Sequence, residues 1–181
     1  MILSDGRNVV FWSGGNDSTL VALRLLRANK YPYLISFASY HIGGFAQQNK
    51  EKIFRKHLLH KFKEEFGDRF EYTEYTYEGE SEITLQDQFW CSLAPTLLKN
   101  NDKIHLGFIR YDDVWHKIEK FKTAILSMTD FLGKKDIEIE FPLEWSTKND
   151  VRKELKKYGY LENTILSNDS IESKWVKPHD L

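Results

Sequence analysis

The densest chemistry in the chain lies in Ser13-Gly14-Gly15-Asn16-Asp17-Ser18, two hydroxyls and a carboxylate around a double glycine. It follows the apolar run Val9-Val10-Phe11-Trp12 and precedes Leu20, Leu23 and Leu26, which recur at helical spacing. The run reads as a short buried strand, because it is apolar throughout and ends in turn residues. Glycine tolerates the backbone angles and close approaches that a sharp turn demands. Strand, turn and helix start therefore fall in one window. N–H groups without intrahelical acceptors and the positive end of the helix dipole would converge there. Such a point is an anion site, and phosphate is the expected anion. A Walker loop is excluded because no lysine stands in the turn, and a dinucleotide fingerprint because only two glycines are present. The competing reading is a tight turn with a polar helix cap and no ligand.

The elements that must position this turn follow an alternating plan. Tyr33 to Phe37 is expected as a second strand, ahead of a loop at His41-Ile42-Gly43-Gly44. A helix is expected from about Gln47 to Phe66, with Phe54, Leu58, Phe62 and Phe66 as its buried stripe and Lys50, Lys52, Lys56 and Lys61 as its solvated face. Phe70 to Tyr77 alternates like a strand near a sheet edge, ahead of the polar loop Gly79-Glu80-Ser81-Glu82. Thr84 to Asn100 reads as a helix with Leu85, Phe89, Leu93 and Leu97 on one stripe, and Ile104 to Ile109 as a fourth strand. A helix from Val114 to Leu132, a strand from Ile137 to Phe141 and a helix capped by Thr147 with Asp150 three residues on complete the pattern. Strands alternating with helices predict a single-domain α/β fold, a parallel five-stranded Rossmann-like sheet with helices on both faces, over residues 1–166. Residues 167–181 read as a polar C-terminal tail. Such sheets take ligands beyond the carboxyl ends of their strands, where strand order reverses. Ser13 to Ser18, Ser39 to His41, Arg110 to Asp113 and Ser146 to Lys148 each follow a strand in this scheme and would share one crevice.

Ser13, Gly14, Gly15, Asp17 and Ser18 match every fixed position of the SGGxDS signature, so the chain resembles the PP-loop ATP pyrophosphatases, an adenine nucleotide alpha hydrolase-like fold. The likeness extends through Gln88-Phe89-Trp90-Cys91-Ser92-Leu93-Ala94, Ile104-His105-Leu106-Gly107, Phe141-Pro142-Leu143 and Thr147-Lys148-Asn149-Asp150-Val151. In that order they resemble the 7-cyano-7-deazaguanine synthase (QueC-like) family over roughly residues 8 to 160. The resemblance implies ATP and Mg²⁺, adenylation of a carboxylate or amide substrate of the deazapurine type, release of pyrophosphate, and displacement of AMP by ammonia or another nucleophile. It implies that Ser13 and Ser18 donate to phosphate oxygens, with Gly14, Gly15 and Asn16 completing the loop. Asp17 would orient the loop or a Mg²⁺ ion. Ser36 and Phe37 would hold adenine through main-chain groups, and Gly107 would let the backbone approach the nucleotide.

Lys148 falls on the family's Thr-Lys pair and would reach phosphate as a point charge; otherwise it is an exposed first-turn lysine. Arg110 would clamp a phosphate or a carboxylate, against a surface ion pair with Asp112 or Asp113. Asp17, Lys148 and Arg110 are thus the expected catalytic groups, and Tyr111, Asp112 and Asp113 the expected substrate contacts. Tyr111 and Trp115 offer planar rings to a base, or packing. His41 and His116 read as structural or solvent-exposed. The departure from the family is at the end of the chain: the zinc-binding cysteines expected there are absent from Thr164 to Leu181, so no zinc site is expected.

Composition sets the bounds. The 181 residues are 41% hydrophobic and 29% charged, with a formal net charge of −1. That balance suits a globular domain with a sizeable core and argues against nucleic acid held by bulk charge. Cys91 is the one cysteine, which excludes a disulfide framework and points to a reducing, cytoplasmic setting without a signal peptide or membrane span. A small-molecule substrate is the expected partner, with a homodimer or a protein acceptor left open. Two other functions share the loop: a tRNA-thiolation enzyme, disfavoured by the single cysteine and near-zero charge, and a nucleotide-binding module that has lost catalysis.

Overall fold

The computed structural model describes residues 6–41, 45–79, 86–113 and 115–164. Its centre is β1 (Asn8–Phe11), the apolar run whose side chains divide between two cores. Val10 and Trp12 enter one hydrophobic cluster and Val9 and Phe11 the other, as side chains alternate along a strand. Around it lie β2 (Pro32–His41), β3 (Glu71–Gly79), β4 (Lys103–His105) and β5 (Glu138–Glu140). The order is β3-β2-β1-β4-β5 and every pairing is parallel. The chain runs outward from β1 through β2 to β3, then returns to β1's other side with β4. The switch point therefore lies between β1 and β4. This is the single-domain α/β, Rossmann-like sheet that the alternation predicts.

Helices cover both faces. The first cluster is closed by α1 (Asn16–Arg27), α2 (Phe45–Phe66) and α5 (Lys148–Lys157), which bring Leu20, Leu23, Leu26, Leu58, Phe62, Val151 and Leu155 onto Val10, Trp12 and Leu34. Leu20, Leu23 and Leu26 are fully buried, each worth about 1.5–3 kcal/mol relative to exposure. The second cluster is closed by α3 (Gln86–Ser92) and α4 (Ile118–Phe131), where Phe89 stacks on Phe37 at 4.3 Å between centroids and Trp90 on Phe11 at 4.8 Å. No helix among the described residues is long and apolar enough to cross a membrane.

Several expectations need correction. The helix expected over Thr84 to Asn100 stops at Ser92, and a 3₁₀ turn at Ala94–Leu97 replaces its second half. Pro95 is the cause, since proline has no N–H for a helical bond and clashes with the preceding turn. Leu93 is consequently exposed, while Trp90, Ala94 and Leu98 are buried in its place. The strand expected to reach Ile109 ends at His105, and β2 continues to His41, so Ser39 to His41 lie within a strand instead of after it. The helix expected from Val114 is a 3₁₀ turn at Trp115–Lys117 before α4 begins. On α2, Phe54 is only half-buried and Arg55 occupies the buried position beside it. The loop residues Ile42 to Gly44 and Glu80 to Glu82, the side chains of Ser39 to Lys50, Leu85, and the tail from Ile165 onward lie outside the described residues.

Candidate functional site

The Ser13 to Ser18 turn stands at the carboxyl end of β1, beside the switch point. β1 delivers it by a last ladder bond, the Trp12 amide donating to Ile35 O at 2.8 Å. Gly14 takes φ 84°, a left-handed angle that glycine adopts without strain. The turn is tied internally: Ser13 Oγ and Ser18 Oγ are 3.0 Å apart, the Ser13 amide donates to Ser18 Oγ at 3.2 Å, and the Gly15 amide donates to Ser13 Oγ at 3.2 Å. Gly15 is the N-cap of α1 and, lacking a side chain, supplies no cap hydrogen bond. The first helical bond is Thr19 N–H to Gly15 O, so the amides of Asn16, Asp17 and Ser18 precede the helical ladder.

The charge at this helix start comes from two other elements. Thr147 caps α5 with a reciprocal capping box to Asp150, and Lys148 is the first helical residue. The Lys148 ammonium reaches across to Asp17 Oδ2 at 2.7 Å and to Asp112 Oδ2 at 2.7 Å. Burial works against the Lys148 charge, but the hydrogen bonds to Asp112 and Asp17 overcome it and hold its proton more firmly than usual. Burial likewise pushes the Asp17 carboxyl up; Lys148 pulls it back and Asp112 adds to the rise. Asp17 Oδ1 is buried without a hydrogen-bond partner among the described residues. A carboxylate with one oxygen committed and the other buried and unsatisfied is a place for a further donor or a hard cation. Among the described residues no group of three or more His, Cys, Asp or Glu side chains could hold a metal by itself.

The other expected residues divide. Asp112 joins the cluster through Lys148, whereas Asp113 is exposed and Tyr111 is 79% exposed. Arg110 reaches neither Asp112 nor Asp113: its guanidinium lies 4.1 Å from the Trp145 ring centroid, with Glu144 3.7 Å away. Trp115 packs edge-on against Phe141 at 5.7 Å, and His116 is exposed. Asn16 faces the other end of the chain, its Oδ1 accepting from the buried Thr164 hydroxyl. Ser36 is buried and donates its hydroxyl to Trp12 O at 2.5 Å, capping the β1–β2 ladder. Phe37 is two residues beyond Ile35, so its main-chain N–H and C=O point to the side that β1 has just left. Gly107 packs against the backbone at the start of α1. A Cβ there would meet Ser18 N at 2.8 Å and the Asp17 carbonyl carbon at 2.9 Å, so the glycine clears space for the start of α1.

Two contributors were not singled out from sequence. Trp145 stacks under Arg110 at the rim and is 69% exposed. Arg55 is buried under the turn, donating from Nη1 to Ser13 O at 3.3 Å and from Nε to Glu74 Oε2 at 3.0 Å. A lone charged residue beside an apolar stripe gives no sequence signal of burial until its carboxylate partner is known.

Fold and site together define a Rossmann-like α/β domain with a polar turn at its switch point. No family model matches the chain, and no curated protein matches it. Among solved structures that match, one is described as a predicted subunit of tRNA methyltransferase from Methanocaldococcus jannaschii, at 16% identity and a TM-score of 0.48, covering 83% of this chain and 74% of that one.

Proposed function

We propose that the protein is an ATP-dependent enzyme of the PP-loop type, resembling the QueC-like synthases, that adenylates a carboxylate or amide oxygen and releases pyrophosphate. The observation that carries this reading is Lys148 of α5 drawn onto Asp17 of the SGGxDS turn, beside the open helix start at the switch point. A substrate oxygen attacks the α-phosphorus of ATP, the bond to pyrophosphate breaks, and ammonia or another nucleophile then displaces AMP from the adenylated substrate. The amides after Ser13 stabilise charge on the departing pyrophosphate, and preorganised donors of this kind are commonly the largest catalytic contribution. Lys148 adds a point charge there once it exchanges a carboxylate for a phosphate oxygen. Asp17 would hold Mg²⁺ through Oδ1, the metal neutralising phosphate charge while keeping most of its waters. Phe37 main-chain groups offer a donor and an acceptor to an adenine edge.

The test is pyrophosphate release from ATP and Mg²⁺ with ammonia and a panel of deazapurine acids, alongside ATP binding by calorimetry. Ser13→Ala and Asp17→Ala are expected to lower turnover at least tenfold with little change in melting temperature. Unchanged turnover in both variants would remove these residues from the site. ATP binding without pyrophosphate release across the panel would favour a nucleotide-binding module.

A further inference from the structure

Two successive carbonyls enter the turn, Trp12 O and Ser13 O, and each is held by a buried side-chain donor. Ser36 Oγ takes the first at 2.5 Å and Arg55 Nη1 the second at 3.3 Å. Arg55 comes from α2, is 2% exposed, and is anchored by Glu74 of the edge strand β3. Glu74 Oε2 in turn accepts the Tyr72 hydroxyl at 2.8 Å, and the Tyr72 ring stands edge-on to Trp12 at 5.7 Å between centroids. Burying a guanidinium is costly, and hydrophobic residues would join α2 to β3 without that cost. What hydrophobic residues cannot do is grip a carbonyl.

The grip has a geometric consequence. In a trans peptide the C=O and the next N–H point in opposite directions across one rigid plane. Holding Ser13 O toward Arg55 therefore turns the Gly14 N–H away from the guanidinium. Gly14 is the residue with φ 84°, whose freedom would otherwise let that plane flip. Ser13 N–H and Gly15 N–H are already committed to Ser18 Oγ and Ser13 Oγ, whereas no acceptor among the described residues takes the Gly14 N–H.

We propose that Arg55 is a positioning residue of the anion site: through Ser13 O it fixes the Ser13–Gly14 peptide so that the Gly14 N–H serves as the turn's donor to pyrophosphate oxygens. This rests on the nucleotide reading above. It is distinct from a strut between α2 and β3 because it acts on one peptide plane.

The experiment uses the full chain, with inorganic pyrophosphate as probe in calorimetry and the Gly14 amide resonance followed by ¹H–¹⁵N NMR. Arg55→Met alone leaves Glu74 without its cation, so the double variant Arg55→Met/Glu74→Gln accompanies it, keeping an acceptor for Tyr72. In the double variant the Gly14 resonance is expected to move even without ligand, and pyrophosphate affinity to fall at least tenfold. Arg55→Lys should recover part of the affinity. Adenosine affinity should stay within about twofold, because the planes that would face it are untouched. A folded double variant with an unmoved Gly14 resonance and wild-type pyrophosphate affinity overturns this inference alone. Wild-type protein that binds neither pyrophosphate nor ATP overturns it together with the nucleotide reading.

Discussion

At the scale of single residues, the molecule separates charges gathered at the turn after β1 from charges that serve the sheet. Lys148 belongs to the first kind, since its two carboxylate partners come from α1 and from the segment after β4. The first-turn lysine that sequence leaves between two readings is thus a tie between three elements. His105 belongs to the second. It is 3% exposed, with Nε2 3.0 Å from Asn8 Oδ1 and Nδ1 3.2 Å from Glu140 Oε2. Burial lowers its pKa to about 4; Glu140 opposes the fall, and Lys30 and Lys103 deepen it. The unfolded chain, with its histidine near 6.5, binds a proton between these values that the folded chain refuses. Stability is therefore full above about pH 6.5 and is lost as pH falls toward 4, by up to about 3 kcal/mol from this residue. His105→Gln keeps a partner for Asn8 and removes the titration. Urea midpoints measured from pH 7 to pH 4 should fall less steeply in that variant, and parallel curves would show that other groups govern the acid limb.

At the scale of elements, the close approach between the end of β4 and the start of α1 is set by one missing side chain. Gly107→Ala would press a methyl group into the backbone of Asp17 and Ser18, neither of which is a flexible tip. The expected cost is about 1–3 kcal/mol, as for other overpacking substitutions. Because the strain falls on the first turn of α1, ATP affinity should fall along with the melting temperature. A loss of stability with untouched affinity would mean that α1 yields elsewhere. This glycine also marks where sequence reading stopped. Its neighbours Leu106, Phe108 and Ile109 continue an apolar run that looks like strand, but its job depends on a helix that enters the chain ninety residues earlier. Helix α5 was legible because its cap, Thr147, and its partner Asp150 are local. Pro95 was equally local and outweighs the apolar spacing around it. Arg55 could not be found this way, because Glu74 and Ser13 O meet it only through the folded sheet.

At the scale of the whole molecule, the parallel sheet has two ends with separate duties. The alternation of strands and helices sufficed to predict its parallel pairing and covered faces. The turn after β1 was legible because all its chemistry falls in six consecutive residues, whereas the Lys148 and Asp112 contacts required the strand order. The carboxyl end holds the turn, Lys148 and Asp112. The amino end is fastened by Asp102, fully buried, which accepts from the Arg7 amide at 3.0 Å, Arg7 Nη2 at 2.7 Å and the Lys99 amide at 2.8 Å. Arg7 also donates to Leu97 O at 2.8 Å and lies over the Tyr33 ring at 4.6 Å, so one ion pair joins the approaches to β1, β2 and β4. Asp102→Ala removes the shared acceptor and leaves the Arg7 and Lys99 amides and the Arg7 guanidinium without it, for an expected loss of about 3–5 kcal/mol. Among the described residues, no hydrogen bond or ion pair joins that fastening to the turn after β1. The variant should therefore show a lower urea midpoint but an ATP dissociation constant within about twofold of wild type at 25 °C, while Ser13→Ala shows the reverse pattern. If Asp102→Ala weakens ATP binding as strongly as it weakens the fold, the two ends of the sheet are energetically coupled and do not have separate duties.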